Sequence, residues 1–137
     1  MDASFNFFIN PRIYFGPGKI RLLPELIQTV GKKLLLITGR RSFEQAGYLD
    51  QLMDGARGRG ITLLPETVGA EPSPEMIDGI VDRYRDAAVD GVVAAGGGSV
   101  IDAGKAVSAM LTQPAGIETY LEGVGTLDHT GDKVPFI

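Results

Sequence analysis

The feature that most constrains this fold is a strand-like apolar run that leads directly into three consecutive glycines. Residues 91–95 are followed at once by Gly-Gly-Gly-Ser at 96–99, and apolar residues then recur at helical spacing over 100–111. A strand, a glycine turn and a helix in direct succession make up one unit of a parallel α/β fold. The N–H groups and dipole of such a helix favour an anion, so the turn predicts a phosphate site.

Strand-like and helix-like segments alternate along the rest of the chain. Residues 33–38 and 61–64 are apolar runs typical of strands that are buried on both faces of a sheet. Helical periodicity marks 48–57, and another helix is predicted to begin with Ser73 as N-cap and Pro74 as first residue. These elements predict an α/β fold, a Rossmann-like, open, mostly parallel sheet with helices on both faces.

Both ends of the chain carry further apolar segments. Residues 5–9 and 13–15 are separated by Asn-Pro and predict an N-terminal β-hairpin over 5–16, followed by a helical pattern between 20 and 30. Residues 134–137 (Val-Pro-Phe-Ile) predict the start of a fourth buried strand. Because natural C-termini usually lie at the surface, we expect that the chain is truncated there.

Length and composition argue against several classes of function. The 137 residues suit one domain, and a net charge of -4 without any long basic block argues against a nucleic-acid partner. The chain has no cysteine for a disulfide or a thiolate metal site, and its apolar runs are too short to span a bilayer. One histidine, His129, cannot form a His-rich metal site, and we expect it in a solvated loop. We expect a cytoplasmic protein without a membrane partner.

The glycine turn differs from two common phosphate-binding motifs. A Walker A motif needs glycine where Ser99 stands, and the dinucleotide motif GxGxxG needs glycine where Ile101 stands. The structural alternative is that Ser99 and Asp102 form a capping box that binds nothing. Three consecutive glycines exceed what a cap requires, which favours phosphate binding.

A second candidate segment follows the run at 33–38. Gly39, Arg40, Arg41 and Ser42 offer a flexible turn, two guanidinium groups and a hydroxyl, which together suit a phosphate monoester. Taken alone, this segment is better explained as a solvated basic turn. Ser73 is structural by default, although the carboxyl ends of parallel strands meet at one crevice.

Residues 91–105 resemble the GGGSxxDxxK signature of the iron-containing (group III) alcohol dehydrogenases. Further segments resemble the family in order and spacing: 13–18 (opening strand and turn), 34–39 (first nucleotide-domain strand), 71–75 (Pro-Asn-Pro-Thr loop), and 121–125 with 133–137 (the stretch before the Thr-Thr-x-Gly-Thr-Gly-Ser motif). The resemblance covers nearly the whole chain.

The resemblance implies that 1–137 is an NAD(P)-binding domain, with the pyrophosphate on Gly97, Gly98 and Ser99 and with Asp102 close by. It also implies an oxidoreductase that interconverts an alcohol and an aldehyde or ketone by hydride transfer, as a homo-oligomer. In the family, a helical C-terminal domain holds iron or another divalent metal such as zinc. The chain ends before that domain, so we expect this fragment to bind cofactor, to lack turnover and to self-associate.

Two departures from the family pattern bear on cofactor choice. Members that prefer NAD carry an aspartate where Gly39 stands, and Arg40 is placed to meet a 2′-phosphate, with Ser42 nearby. The resemblance therefore favours NADP over NAD. Ser73 replaces the family's usual asparagine, and its shorter side chain is expected to lose one hydrogen bond.

Two other functions stay open at this stage. One is a standalone nucleotide- or phosphate-binding module without catalysis. The other is a dehydroquinate synthase-like lyase, whose glycine motif usually lacks the Ser-x-x-Asp-x-x-Lys continuation present at Ser99, Asp102 and Lys105.

Overall fold

Three parallel strands form the centre of the molecule, in the order β2-β1-β3. The computed structural model describes residues 11–137, except for the side chain of Ser42. β1 covers Lys33–Gly39, β2 Thr62–Val68 and β3 Gly91–Ala95. β1 pairs with β2 on one side and with β3 on the other, both in parallel register. The parallel α/β sheet predicted from the alternating pattern is confirmed.

Helices cover both faces of this sheet. α1 is Leu23–Gln28, α2 Ser42–Gln45, α3 Tyr48–Arg57, α4 Pro74–Tyr84 and α5 Gly98–Met110, and short 3-10 helices cover Lys19–Leu22, Arg85–Ala87 and Ile117–Tyr120. In β1, Leu34 and Leu36 pack with α1 and α3, whereas Leu35 and Ile37 pack with α4 and α5. All four side chains are fully buried. Burial on both faces explains why β1 is a continuous apolar run rather than an alternating one.

β2 is longer than its sequence pattern predicts. The apolar run indicated 61–64, but the strand continues through Pro65 and Glu66 to Val68. β2 lies at an edge of the sheet, where proline is tolerated and side chains alternate between exposed and buried. The longer strand moves the loop after it toward the ends of β1 and β3.

The C-terminal residues continue the sheet beyond β3. Phe136 pairs with Val92 in parallel. Val92 N–H donates to Pro135 O at 2.8 Å, and Ala94 N–H donates to Ile137 O at 2.8 Å. The predicted start of a fourth strand is therefore confirmed, although Phe136 and Ile137 are half-buried rather than fully buried.

The predicted N-terminal hairpin is only partly within the described residues. Its first arm, 5–9, lies outside them, so the hairpin stays a prediction. Residues 13–15 form no strand with the described part of the chain, and the side chains of Ile13 and Phe15 are 80% and 94% exposed.

Helix α5 lies very close to β3 at Gly104. A Cβ atom at this position would lie 2.6 Å from Ala94 Cβ and 2.7 Å from Phe136 Cε2. Such distances are far below van der Waals contact, so the helix, the strand and the C-terminal segment meet around a position without a side chain. This close packing fixes where the N-terminus of α5 stands above the sheet.

We expect Gly104→Ala to lower the free energy of unfolding by about 1–3 kcal/mol, because the added methyl overpacks the interface between α5 and β3. Gly79→Ala in α4 is the matched control, since its Cβ would meet only Arg83 Nη1 at 3.7 Å. Alanine in a helix gains up to about 1 kcal/mol over glycine, so the control is expected to be stabilised. Urea denaturation of both variants measures the difference, and equal stabilisation would contradict the packing argument.

Candidate functional site

The carboxyl ends of the three strands open into one cleft of about 350 Å³. The turn after β1 contributes Gly39 and Arg40, the end of β2 and its loop contribute 68–71, and the turn after β3 contributes 97–100. The two segments that the sequence analysis singled out separately thus line the same cavity. This is the position at which open parallel sheets bind ligands.

The N-terminus of α5 faces this cleft, and no side chain in its first turn neutralises the positive end of the helix dipole. Its N-cap is Gly97, and its first turn holds no acidic residue. Ser99 lies inside the first turn, and its hydroxyl donates to Glu71 Oε1 at 2.6 Å. Ser99 therefore does not form a capping box with Asp102, and that alternative is wrong. The free N–H groups and the helix dipole leave a positive end directed at the cavity.

Two glycines of the turn have no structural reason to be glycine. All 19 glycines lie in the described part of the chain: six have a positive φ, eight would place a Cβ within 3.0 Å of a neighbouring group, and Gly39, Gly58 and Gly79 would make only ordinary contacts at 3.4–3.7 Å. Gly97 and Gly98 have an ordinary φ, and a Cβ on either would meet nothing within 4 Å. The missing side chains leave open space over the helix N-terminus, which a ligand can approach closely.

The basic turn after β1 places one of its two arginines in the cleft. Arg40 lines the cavity together with Gly39, whereas Arg41 is exposed and does not. Within residues 11–137, no carboxylate forms an ion pair with Arg40. Arg40 is thus the cationic side chain available to an anion in this cavity.

Two other predicted site residues, Ser73 and Asp102, do not line the cleft. Ser42 begins α2, and its side chain lies outside the described part of the structure. Ser73 is the N-cap of α4, where its hydroxyl accepts from Met76 N–H at 3.3 Å, so its predicted structural role is confirmed. Asp102 is exposed on α5 and pairs with Lys105 at 3.5 Å, as expected for residues three apart on a helix.

Glu75, in the first turn of α4, also forms hydrogen bonds at the N-terminus of this helix. A backbone hydrogen bond at Glu75 and a hydrogen bond from the Ser73 hydroxyl lower the pKa of the Glu75 carboxyl below its usual value. Both contacts favour the ionised form at the positive end of α4. They belong to the capping of the helix rather than to the cleft.

The segment between β2 and α4 was not among the predicted site residues. Val68, Gly69, Ala70 and Glu71 form one wall of the cleft, and Glu71 is the only carboxylate among the lining residues. The signal for them was available, because residues at the carboxyl end of any parallel strand face the same crevice. Ending β2 at 64 instead of 68 placed these residues too far from the sheet edge.

We expect Glu71→Gln to tighten the binding of inorganic pyrophosphate about threefold to tenfold at low ionic strength. Glutamine still accepts from Ser99, but it removes a negative charge from the cleft wall, and a nearby like charge opposes an anion by about 1 kcal/mol in water. Calorimetric titration checks this. Glu25→Gln, on exposed α1 surface, is the matched control for net charge, and an equal gain there would contradict a local role for Glu71.

His129 does not have the solvated position that the sequence predicted. Its Nδ1 accepts from Gly131 N–H at 2.9 Å, its Nε2 lies 3.1 Å from Ala109 O, and its ring contacts Tyr120 edge to face. The ring is half-buried and holds the loop after α5 in place. Among the described residues, no three side chains of His, Cys, Asp or Glu lie close enough together to hold a metal ion.

None of the helices in residues 11–137 combines the length and the apolar character that are needed to cross a membrane.

Comparison with known proteins identifies relatives of this chain. The family model for iron-containing alcohol dehydrogenase matches residues 10–137. NADH-dependent butanol dehydrogenase A of Clostridium acetobutylicum is 32% identical over 96% of this chain and 37% of its own length. NADPH-dependent aldehyde reductase YqhD of Escherichia coli is 34% identical over 85% of this chain and 30% of its own length.

The fold of this chain is also similar to that of solved structures. The crystal structure of NADH-dependent butanol dehydrogenase A from Thermotoga maritima superposes with a TM-score of 0.84 at 28% identity, over 97% of this chain and 33% of that one. An iron-containing alcohol dehydrogenase from the same organism gives a TM-score of 0.80 at 26% identity, over 97% of this chain and 36% of that one. The chain thus spans about a third of the length of these relatives.

Proposed function

Since this chain belongs to the iron-containing alcohol dehydrogenase family, we propose that it forms the dinucleotide-binding part of an enzyme that interconverts an alcohol and an aldehyde or ketone by hydride transfer. The proposal assigns the cleft at the strand ends to the cofactor. It assigns NADP rather than NAD as the preferred cofactor.

The pair Gly97 and Gly98 is the observation that carries the proposal. Neither the backbone conformation nor the packing of the protein requires glycine at these positions. A pyrophosphate group fits the same place, because the N–H groups at the start of α5 are free to donate and the helix dipole favours negative charge. In this assignment the Ser99 hydroxyl is a further donor to the pyrophosphate, in competition with Glu71.

Gly39 and Arg40 are assigned to the adenosine ribose. At Gly39 there is no carboxylate to accept from a 2′-hydroxyl or to repel a 2′-phosphate, and Arg40 beside it supplies a positive charge in the same cleft. Arginine binds phosphate through charge-assisted hydrogen bonds in a planar geometry. The nicotinamide ring supplies the hydride chemistry when the cofactor is bound.

The described residues do not fit the family's metal. No group of three potential ligands lies together among them, so no step of the reaction is assigned through a metal here. The proposal further includes a small alcohol or aldehyde as substrate, a homo-oligomeric state and a cytoplasmic location. The absence of cysteine is compatible with this location, because a reducing compartment does not form disulfides.

Calorimetric titration of the 137-residue chain with NADP and with NAD tests the proposal. We expect NADP to bind about tenfold more tightly or better at low salt, since one charge-assisted hydrogen bond contributes roughly 1.5–3 kcal/mol. The preference is expected to shrink as salt screens the charges. Equal affinities would contradict the choice of NADP, and an absence of binding of both at millimolar concentration would contradict the cofactor site.

A further inference from the structure

Gly69, the first residue after β2, lies directly under the side chain of Arg40. A Cβ atom at Gly69 would overlap Arg40 Nε and would lie 2.5 Å from its Cζ and 2.7 Å from its Nη2. The three atoms nearest to this position thus all belong to one guanidinium group. The arginine side chain occupies the space that any side chain at position 69 would fill.

The closest obstacle to a side chain at position 69 is Arg40 rather than the backbone or the core. The φ of Gly69 lies outside the positive range, and none of the three nearest atoms belongs to the backbone or to the core. Gly69 differs in this respect from Gly104, where a Cβ would meet the core side chains of Ala94 and Phe136. The three closest contacts of a side chain at position 69 would therefore all be with Arg40.

The sheet register brings these two residues together. Gly39, the last residue of β1, pairs with Val68, the last residue of β2. Arg40 and Gly69 are the next residues along two neighbouring parallel strands, whose backbones lie about 4.8 Å apart. A long side chain that starts at the end of β1 can therefore lie across the end of β2 and remain in the cleft.

We propose that Gly69 is a positioning residue which holds the Arg40 guanidinium at the cleft wall, and that this arrangement sets the discrimination between nucleotides with and without a 2′-phosphate. The inference rests on the proposed function. An arginine that is already held in the cleft loses less rotamer freedom when a phosphate binds than one that points into solvent. Any side chain at position 69 displaces the guanidinium and removes this advantage.

Gly69→Ala is the decisive variant, because the group it displaces is the flexible end of a side chain and the fold is expected to tolerate the methyl. Two probes separate the contribution of the 2′-phosphate: adenosine 2′,5′-bisphosphate carries it, and adenosine 5′-monophosphate does not. We expect the wild-type chain to prefer the bisphosphate about tenfold, and Gly69→Ala to reduce the preference to about threefold or less by weakening the bisphosphate alone. Gly79→Ala, on α4, is the control and is expected to keep the full preference.

A double-mutant cycle distinguishes positioning from a general effect. If Gly69 acts through Arg40, the variant that combines Gly69→Ala with Arg40→Ala has the same bisphosphate affinity as Arg40→Ala alone. Additive losses would overturn the inference. A measurement without ligand is the arginine Nε–Hε signal in a ¹H–¹⁵N spectrum, assigned by its loss in Arg40→Ala. This signal is expected to shift in Gly69→Ala and to stay in place in Gly79→Ala.

The inference and the proposed function fail in different ways. A wild-type preference that Arg40→Ala abolishes and Gly69→Ala leaves intact would overturn the role of Gly69 and keep the cofactor site. An unchanged Nε–Hε signal in Gly69→Ala would also overturn it. A wild-type chain that binds both probes equally, or binds neither, would overturn the assignment of Arg40 and the role of Gly69 with it.

Discussion

Gly98→Leu is expected to weaken NADP and NAD binding about a hundredfold while leaving the fold intact. The open space at position 98 is the space that the proposed pyrophosphate occupies, so a leucine side chain there excludes it from the N–H groups of α5. Losing two hydrogen bonds to a charged group, at roughly 1.5 kcal/mol or more each, gives about 3 kcal/mol, which is about a hundredfold in affinity. Calorimetric titration with both cofactors measures the loss.

Gly98→Leu is expected to change cofactor affinity without changing stability. Apart from the adjacent residues and the backbone of α5 itself, no group lies within 4 Å of a Cβ at position 98, so the unfolding midpoint in urea is expected to stay close to that of the wild type. Asp50→Leu adds the same side chain to the first turn of α3, at an exposed position that does not line the cleft, and is expected to bind both cofactors normally. Normal binding by Gly98→Leu would remove the main support for the proposed function.

Gly39→Asp is expected to reverse the cofactor preference from NADP to NAD. A Cβ at Gly39 would lie 3.5 Å from Val100 Cγ2, an ordinary contact, so the cleft has room for the substitution. The new carboxylate repels the 2′-phosphate of NADP and accepts from the 2′-hydroxyl of NAD. Charge-assisted hydrogen bonds of roughly 1.5–3 kcal/mol on each side predict a change of about a hundredfold or more in the affinity ratio.

Arg40→Ala separates the two causes of the preference. We expect it to weaken NADP about tenfold and to leave NAD nearly unchanged, because only the 2′-phosphate meets the guanidinium. Titrations at low and at high salt complete the measurement. The preference of the wild type for NADP is expected to fall as salt screens the charges, whereas the affinity ratio of Arg40→Ala is expected to change little. An equal loss of both cofactors in Arg40→Ala would show that Arg40 acts on the shared pyrophosphate instead.

Much of the fold followed from patterns along the chain. The run at 33–38 predicted a strand with two buried faces, and in the structure its alternate leucines pack with helices on opposite sides. The helix at 48–57 and the Ser73 cap were also predicted at the observed positions, because periodicity and capping are local properties. β2 was predicted too short, because an edge strand has exposed and polar positions that no apolar run reveals.

Part of the candidate site could likewise be predicted from the local sequence, and part could not. The glycine turn at 96–99 and the segment at 39–42 each carried enough local chemistry to be singled out, and the rule for parallel sheets predicted that they would meet. His129 was placed wrongly in solvent, because its partners Ala109 and Tyr120 come from other segments. A polar side chain in a loop has no periodic pattern from which its burial can be predicted.

The local sequence therefore predicted the strands, the helices and the glycine turn, since each depends on neighbours a few residues away. Which side chains share the cleft depends on the register between strands and on the distances at which helices pack. The Ser99 hydroxyl bonds to Glu71, 28 residues earlier in the chain, and Arg40 lies on Gly69 because β1 and β2 end side by side. Contacts between residues so far apart in the chain leave no local signature, and only the folded sheet brings them together.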